Sequence, residues 1–137
     1  MGIRVAGTWT LLTLVVAGCA GSGIPKQQPG ETYAGERHEV IGTIEWDGCA
    51  RLRLADGTSR AVIWPESATN GSDVVNLGWF QRDVVEGDRI EGTAALTPVA
   101  ALRYWGESGY WDSVLGTCVR DGETEALVFD EARLVEE

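Results

Sequence analysis

From residue 38 onward the chain is a series of short runs rich in Val, Ile and Leu, each closed by Gly, Pro or an Asp-Gly pair. That is the pattern of strands joined by tight turns. Residues 39–46 form the first run, ended by Asp47 and Gly48. Over 49–54, Leu52 and Leu54 alternate with Arg51 and Arg53, giving an apolar and a charged face. Asp56-Gly57 is a hairpin signal leading into the run 60–64, which Pro65 stops because it has no N–H to give a ladder. The stretch 66–87 begins polar. Asn76 is then placed to cap a short helix with Leu77, Phe80 and Val84 on one face and Gly87 as its end. A fourth strand follows over 89–96, then a glycine-rich aromatic loop over 98–112. The run 113–119 reads as a strand, and Asp121-Gly122 turns the chain into a last strand over 125–135. Trp46 and Trp64, at strand ends, are expected in the core. No domain-sized repeat is present.

Three meandering strands, a helix-bearing connection and further strands, with Val85, Glu86, Gly87, Asp88, Arg89, Ile90, Glu91 and Gly92 entering the strand after the helix, resemble the OB-fold over residues 37–137. The resemblance implies a mostly β fold: a small OB-fold-like barrel with one short helix, whose loops and exposed face bind ligands, oligosaccharides included. The sixth run departs from a five-stranded pattern, and a lipocalin-like or other small barrel is the alternative.

Before residue 37 the pattern changes. Arg4 is the only charge before Lys26, and 5–16 is an apolar run ending in Leu11, Leu12, Leu14, Val15 and Val16. At ~1.5 Å per residue this run covers about 18 Å, too short for a hydrocarbon core of roughly 30 Å. Small residues Ala17 and Gly18 then precede Cys19, as at the end of an export signal. Val16-Ala17-Gly18-Cys19 resembles the lipobox of bacterial lipoproteins. The resemblance implies cleavage before Cys19, a diacylglyceryl group on its sulfur and lipid anchoring in the cell envelope. With Ala20 after the cysteine, the address is the outer membrane facing the periplasm in a Gram-negative cell, and otherwise the outer face of the cell membrane. An ordinary cleaved signal peptide is the alternative. The expected organisation is a signal peptide over 1–18, a lipidated N-terminus and flexible Gly/Ser/Pro/Gln tether over 19–36, and a β-barrel domain over 37–137.

The chain has 11 basic and 21 acidic residues, a net charge of −10, and loses Arg4 on cleavage. The acidic residues are scattered. This balance excludes a nucleic-acid partner, which needs a basic footprint, and is accounted for by solubility. With Cys19 acylated, Cys49 and Cys118 remain, and in an exported, oxidising setting a disulfide is the default. Two buried thiols or a metal site are the alternatives. The metal site is weakened because His38 is the only histidine and no Cys-x-x-Cys pair exists. No P-loop, dinucleotide fingerprint or His-Glu-x-x-His occurs, so no cofactor is implied.

One local feature points to binding. Tyr104-Trp105 and Tyr110-Trp111 are six residues apart, with Glu107 and Asp112 among them, and Trp79 adds an aromatic in the other long connection. Flat rings beside carboxylates bind sugars by stacking and hydrogen bonding, so Trp79, Tyr104, Trp105, Glu107, Tyr110, Trp111 and Asp112 are the ligand-binding candidates. The same rings can instead plug a barrel. The expected function is a non-enzymatic lipoprotein that binds an envelope protein or glycan, with the membrane as a partner through its anchor. A structural surface protein without a ligand is a second reading. A small hydrolase using Glu107 and Asp112 with Asp83 or Glu86 is a third.

Overall fold

The computed structural model describes residues 24–71, 74–78 and 82–136; Cys19 and Trp79 lie outside the described residues. The elements are β1 (His38–Trp46), β2 (Ala50–Leu54), β3 (Ser59–Ile63), β4 (Thr69–Gly71), β5 (Val74–Asn76), β6 (Arg89–Pro98), α1 (Tyr110–Leu115) and β7 (Glu125–Leu134). Strands β1-β2-β3-β7-β6 close into a barrel, and β4 and β5 form a separate hairpin. All barrel pairings are antiparallel except β3 with β7, where Ile63 lies opposite Val128. Because β6 returns to lie beside β1, the connection is a Greek key. This is the mostly β, OB-fold-like barrel that the run of strands predicts.

The parallel pair is buried on both faces, which is why its strands read as nearly continuous apolar runs. Val62, Trp64, Leu127 and Phe129 face the barrel interior, with the rings of Trp64 and Phe129 stacked 6.1 Å apart. Ala61, Ile63, Ala126 and Val128 face outward into a second cluster under α1. Gly92 is required where β6 crosses β7. A Cβ there would collide with the carbonyl oxygen of Glu131, and the ladder shifts register between Thr93 and Ala94.

Two predicted elements are corrected. No helix forms over the described part of 76–87. Val74–Asn76 is a strand, and Val75 exchanges backbone hydrogen bonds of 3.0 and 2.7 Å with Val84. The Asn76 side chain accepts from the Gly78 N–H at 2.8 Å and turns the chain instead of capping a helix, with Gly78 at φ +84°. Ala68, Val75, Leu77 and Val84, each at most 4 % exposed, plug one end of the barrel. The expected strand 113–119 is in fact the second half of α1 and the turn after it. Trp111, Val114, Leu115 and Cys118 follow the i, i+3, i+4, i+7 spacing of a helix face and pack into the outer cluster. The one short α-helix among the described residues therefore lies between β6 and β7, not between β3 and β6.

The folded unit also begins earlier than the expected boundary at 37. Residues 24–36 are an arm laid across the barrel. Lys26 bridges Trp64 in parallel, with hydrogen bonds from Gln27 N to Trp64 O and from Trp64 N to Pro25 O, both 2.8 Å. Tyr33 is 7 % exposed in the outer cluster, and Thr97 Oγ1 donates to Ala34 O at 2.6 Å. A Gly/Pro/Gln-rich composition suggests a tether, but two apolar anchors, Ile24 against the interior cluster and Tyr33 in the outer one, and a set of backbone partners are enough to order this part of it.

Candidate functional site

The aromatic loop is a run of tight turns between a 3-10 turn at Val99–Ala101 and α1. Tyr104 (φ 61°) and Ser108 (φ 59°) both adopt the left-handed conformation, uncommon outside glycine. Asp112 holds them there: its carboxylate accepts from the N–H groups of Gly106 at 2.9 Å and Ser108 at 2.6 Å.

The structure separates the candidates by role. Trp111 is 1 % exposed, stands edge-on to Tyr33 with centroids 5.9 Å apart, and donates its Nε1–H to Glu31 at 3.3 Å. Tyr110 lies 4.8 Å from Trp111 and its hydroxyl accepts from the Lys26 N–H at 3.2 Å. Burial raises the Tyr33 and Tyr110 phenols above their ordinary range, so both remain neutral hydroxyls. Tyr110, Trp111 and Asp112 thus fasten the arm and the loop. Trp105 is half-buried against the outer cluster. Tyr104, 57 % exposed, and Glu107 remain on the surface, with the Arg103 guanidinium 4.9 Å over the Tyr104 ring. The two Tyr-Trp pairs do not form one continuous stacking face.

Sequence reasoning missed a second feature. Opposite the plugged end, no described residue closes the barrel. A groove of about 230 Å³ is lined by Glu36, His38, Val40, Leu54, Ala94, Leu96 and Leu127. Val40, Leu54, Ala94 and Leu127 belong to the interior cluster or pack against it, and His38 and Leu96 share that face by alternation. Leu96 is 37 % exposed because nothing in the described chain covers it. Exposed Glu36 and His38 meet at the rim, 3.8 Å apart. The signal available in the sequence was that Val40, Ala94 and Leu96, at the start of β1 and the end of β6, fall on the inward-facing parity, and among the described residues no element covers them.

Arg51 lies on the charged face that the alternation in β2 predicts. It does face outward, but it is 1 % exposed. The turn after α1 covers it, and all five of its N–H groups are used: by Ser59 Oγ and O, by Cys118 O, and by both oxygens of Glu123. Beside it Cys49 and Cys118 form a disulfide with Cα atoms 5.8 Å apart. Among the described residues no group of three or more His, Cys, Asp or Glu side chains is arranged to hold a metal ion. Compared with protein-family models, curated proteins and solved structures, the chain matches none.

Proposed function

We propose that the chain is a lipid-anchored lipoprotein of the bacterial cell envelope whose barrel is a non-enzymatic binding module for an envelope protein or glycan. The anchor rests on Val16-Ala17-Gly18-Cys19 and the apolar run before it. Two or three acyl chains at Cys19, each buried methylene adding about 0.8 kcal/mol, hold a protein at a bilayer almost permanently. The observation that carries the binding role is the unplugged barrel end, whose inward-facing apolar residues meet solvent. Inside a barrel such positions are normally covered, and an apolar concavity left open is the usual form of a binding site.

The alternative reading, a hydrolase using carboxylates, has less support. Asp112 spends both oxygens on loop amides, and His38 pairs with Glu36 at the exposed rim of an otherwise apolar groove. Exposed Tyr104 and Glu107, on a loop whose turns are left-handed at Tyr104 and Ser108, offer a separate surface that a glycan would use.

Palmitate labelling of cells expressing the full chain tests the anchor: label is incorporated, and Cys19→Ala abolishes it. Titration with solubilised peptidoglycan fragments tests the glycan arm. A saturable fluorescence change lost in Tyr104→Ala supports it, and the absence of any change leaves a protein as the partner.

A further inference from the structure

Strand β1 is longer than its neighbour. It pairs with β6 from His38 onward, but β2 ends at Leu54, opposite Gly42. Among the described residues, 38–41 therefore have a strand on one side only, and His38 and Val40 of this overhang line the apolar groove. Ile41, 40 % exposed, lies on the opposite face of the same overhang. A free strand edge with unpaired N–H and C=O groups is a template for an added strand. Here it adjoins a pocket that alternate side chains of such a strand would enter.

We infer that the β1 overhang and the adjoining groove bind an extended, cationic peptide segment of a protein partner by strand addition, with its apolar side chains in the groove. This deepens the binding-module reading and rests on it. The charge follows from the rim. Glu36 is fully at the surface, exposed Glu39 follows on the overhang, and neither Lys nor Arg lines the groove. A second copy of this chain is disfavoured because it brings the same carboxylates and a net charge of −10. An acyl chain would fill the groove but leave the edge amides and carbonyls unpaired.

The full chain, in a mild non-ionic detergent, is titrated into fluorescein-labelled Lys-Val-Lys-Val-Lys-Val-Lys and followed by anisotropy. Saturable binding is expected, at least tenfold weaker with alternate peptide amides N-methylated, with Glu replacing Lys, and in Leu96→Arg. Leu96→Ala, which keeps the backbone and adds no charge, is expected to weaken binding by a smaller factor. The inference is overturned by any of four results. These are no binding, equal binding of the N-methylated or Glu peptide, displacement by lauric acid of a peptide indifferent to N-methylation, and a dimer in sedimentation that Leu96→Arg dissociates. Palmitate labelling at Cys19 is independent of these readings, so loss of the anchor and loss of the peptide site are told apart.

Discussion

Arg51 and Glu123 form a two-pronged ion pair beneath the turn that follows α1, with Nη1 to Oε1 at 3.0 Å and Nη2 to Oε2 at 2.6 Å. Both side chains are withdrawn from water, at 1 % and 10 % exposure, on elements 72 residues apart in sequence. Breaking such a pair from one side leaves a buried charge without its partner, at about 3–5 kcal/mol. Arg51→Ala is therefore expected to lower the urea midpoint steeply. The double replacement Arg51→Met with Glu123→Leu is expected to recover most of the loss, because it removes both charges together. Equal losses in the single and double variants would contradict this account.

The Cys49–Cys118 disulfide joins the start of β2 to the turn after α1 across 69 residues. In the chain-entropy view a loop of that length is worth about 4 kcal/mol. Cys49→Ala with Cys118→Ala is expected to lose roughly that much in chemical denaturation under oxidising conditions. Reductant should then move the midpoint of the native chain and not that of the variant.

The arm is fastened near its ends by Asp130, which accepts from Arg37 Nε at 3.0 Å and Gln27 Nε2 at 3.1 Å. Partial burial works against the Asp130 carboxylate, but these two donors outweigh it and hold the group below the usual carboxylate range. A carboxyl depressed in the folded state contributes stability above its unfolded value of about 3.9, and loses it as pH falls through the lower folded value. Protection of the amides in residues 24–36, taken against the intrinsic exchange rate at each pH, is expected to fall below about pH 4, ahead of the barrel strands. Asp130→Asn should exchange faster at neutral pH and lose most of that acid step. An unchanged acid profile in the variant would assign the step elsewhere.

Trp111 and Tyr104 belong to the same aromatic loop but should respond oppositely to truncation. Trp111→Ala empties a site shared with Tyr33 and orphans Glu31, and is expected to cost about 3–5 kcal/mol in thermal or urea unfolding. Tyr104→Ala removes an exposed ring and its contact with Arg103, and is expected to stay within about 0.5 kcal/mol of the native chain.

Much of the barrel was legible in the order of residues. The alternation in β2, the Asp56-Gly57 turn, the stop at Pro65 and the apolar runs of β3 and β7 each depend on local stereochemistry and on one period, and they appear where that period places them. The pairing of the two cysteines of the expected mature domain followed from there being only two. The helix did not follow, because six residues have almost no helical stability of their own and form one only against a surface. Tyr110–Leu115 has that surface in Ile63 and Val128, whereas Asn76 and Leu77 meet the barrel mouth, where an extended hairpin fits. The arm is ordered for the same reason: Tyr33 is one apolar residue in a polar stretch until Trp111, 78 positions away, gives it a partner. Strands, turns and the cysteines available for a bridge can be read from the order of residues, because nearest-neighbour geometry decides those. Which end of the barrel is plugged, that Trp111 is core and where the overhang of β1 meets a groove emerge in three dimensions alone. Those depend on contacts between residues the chain order keeps far apart.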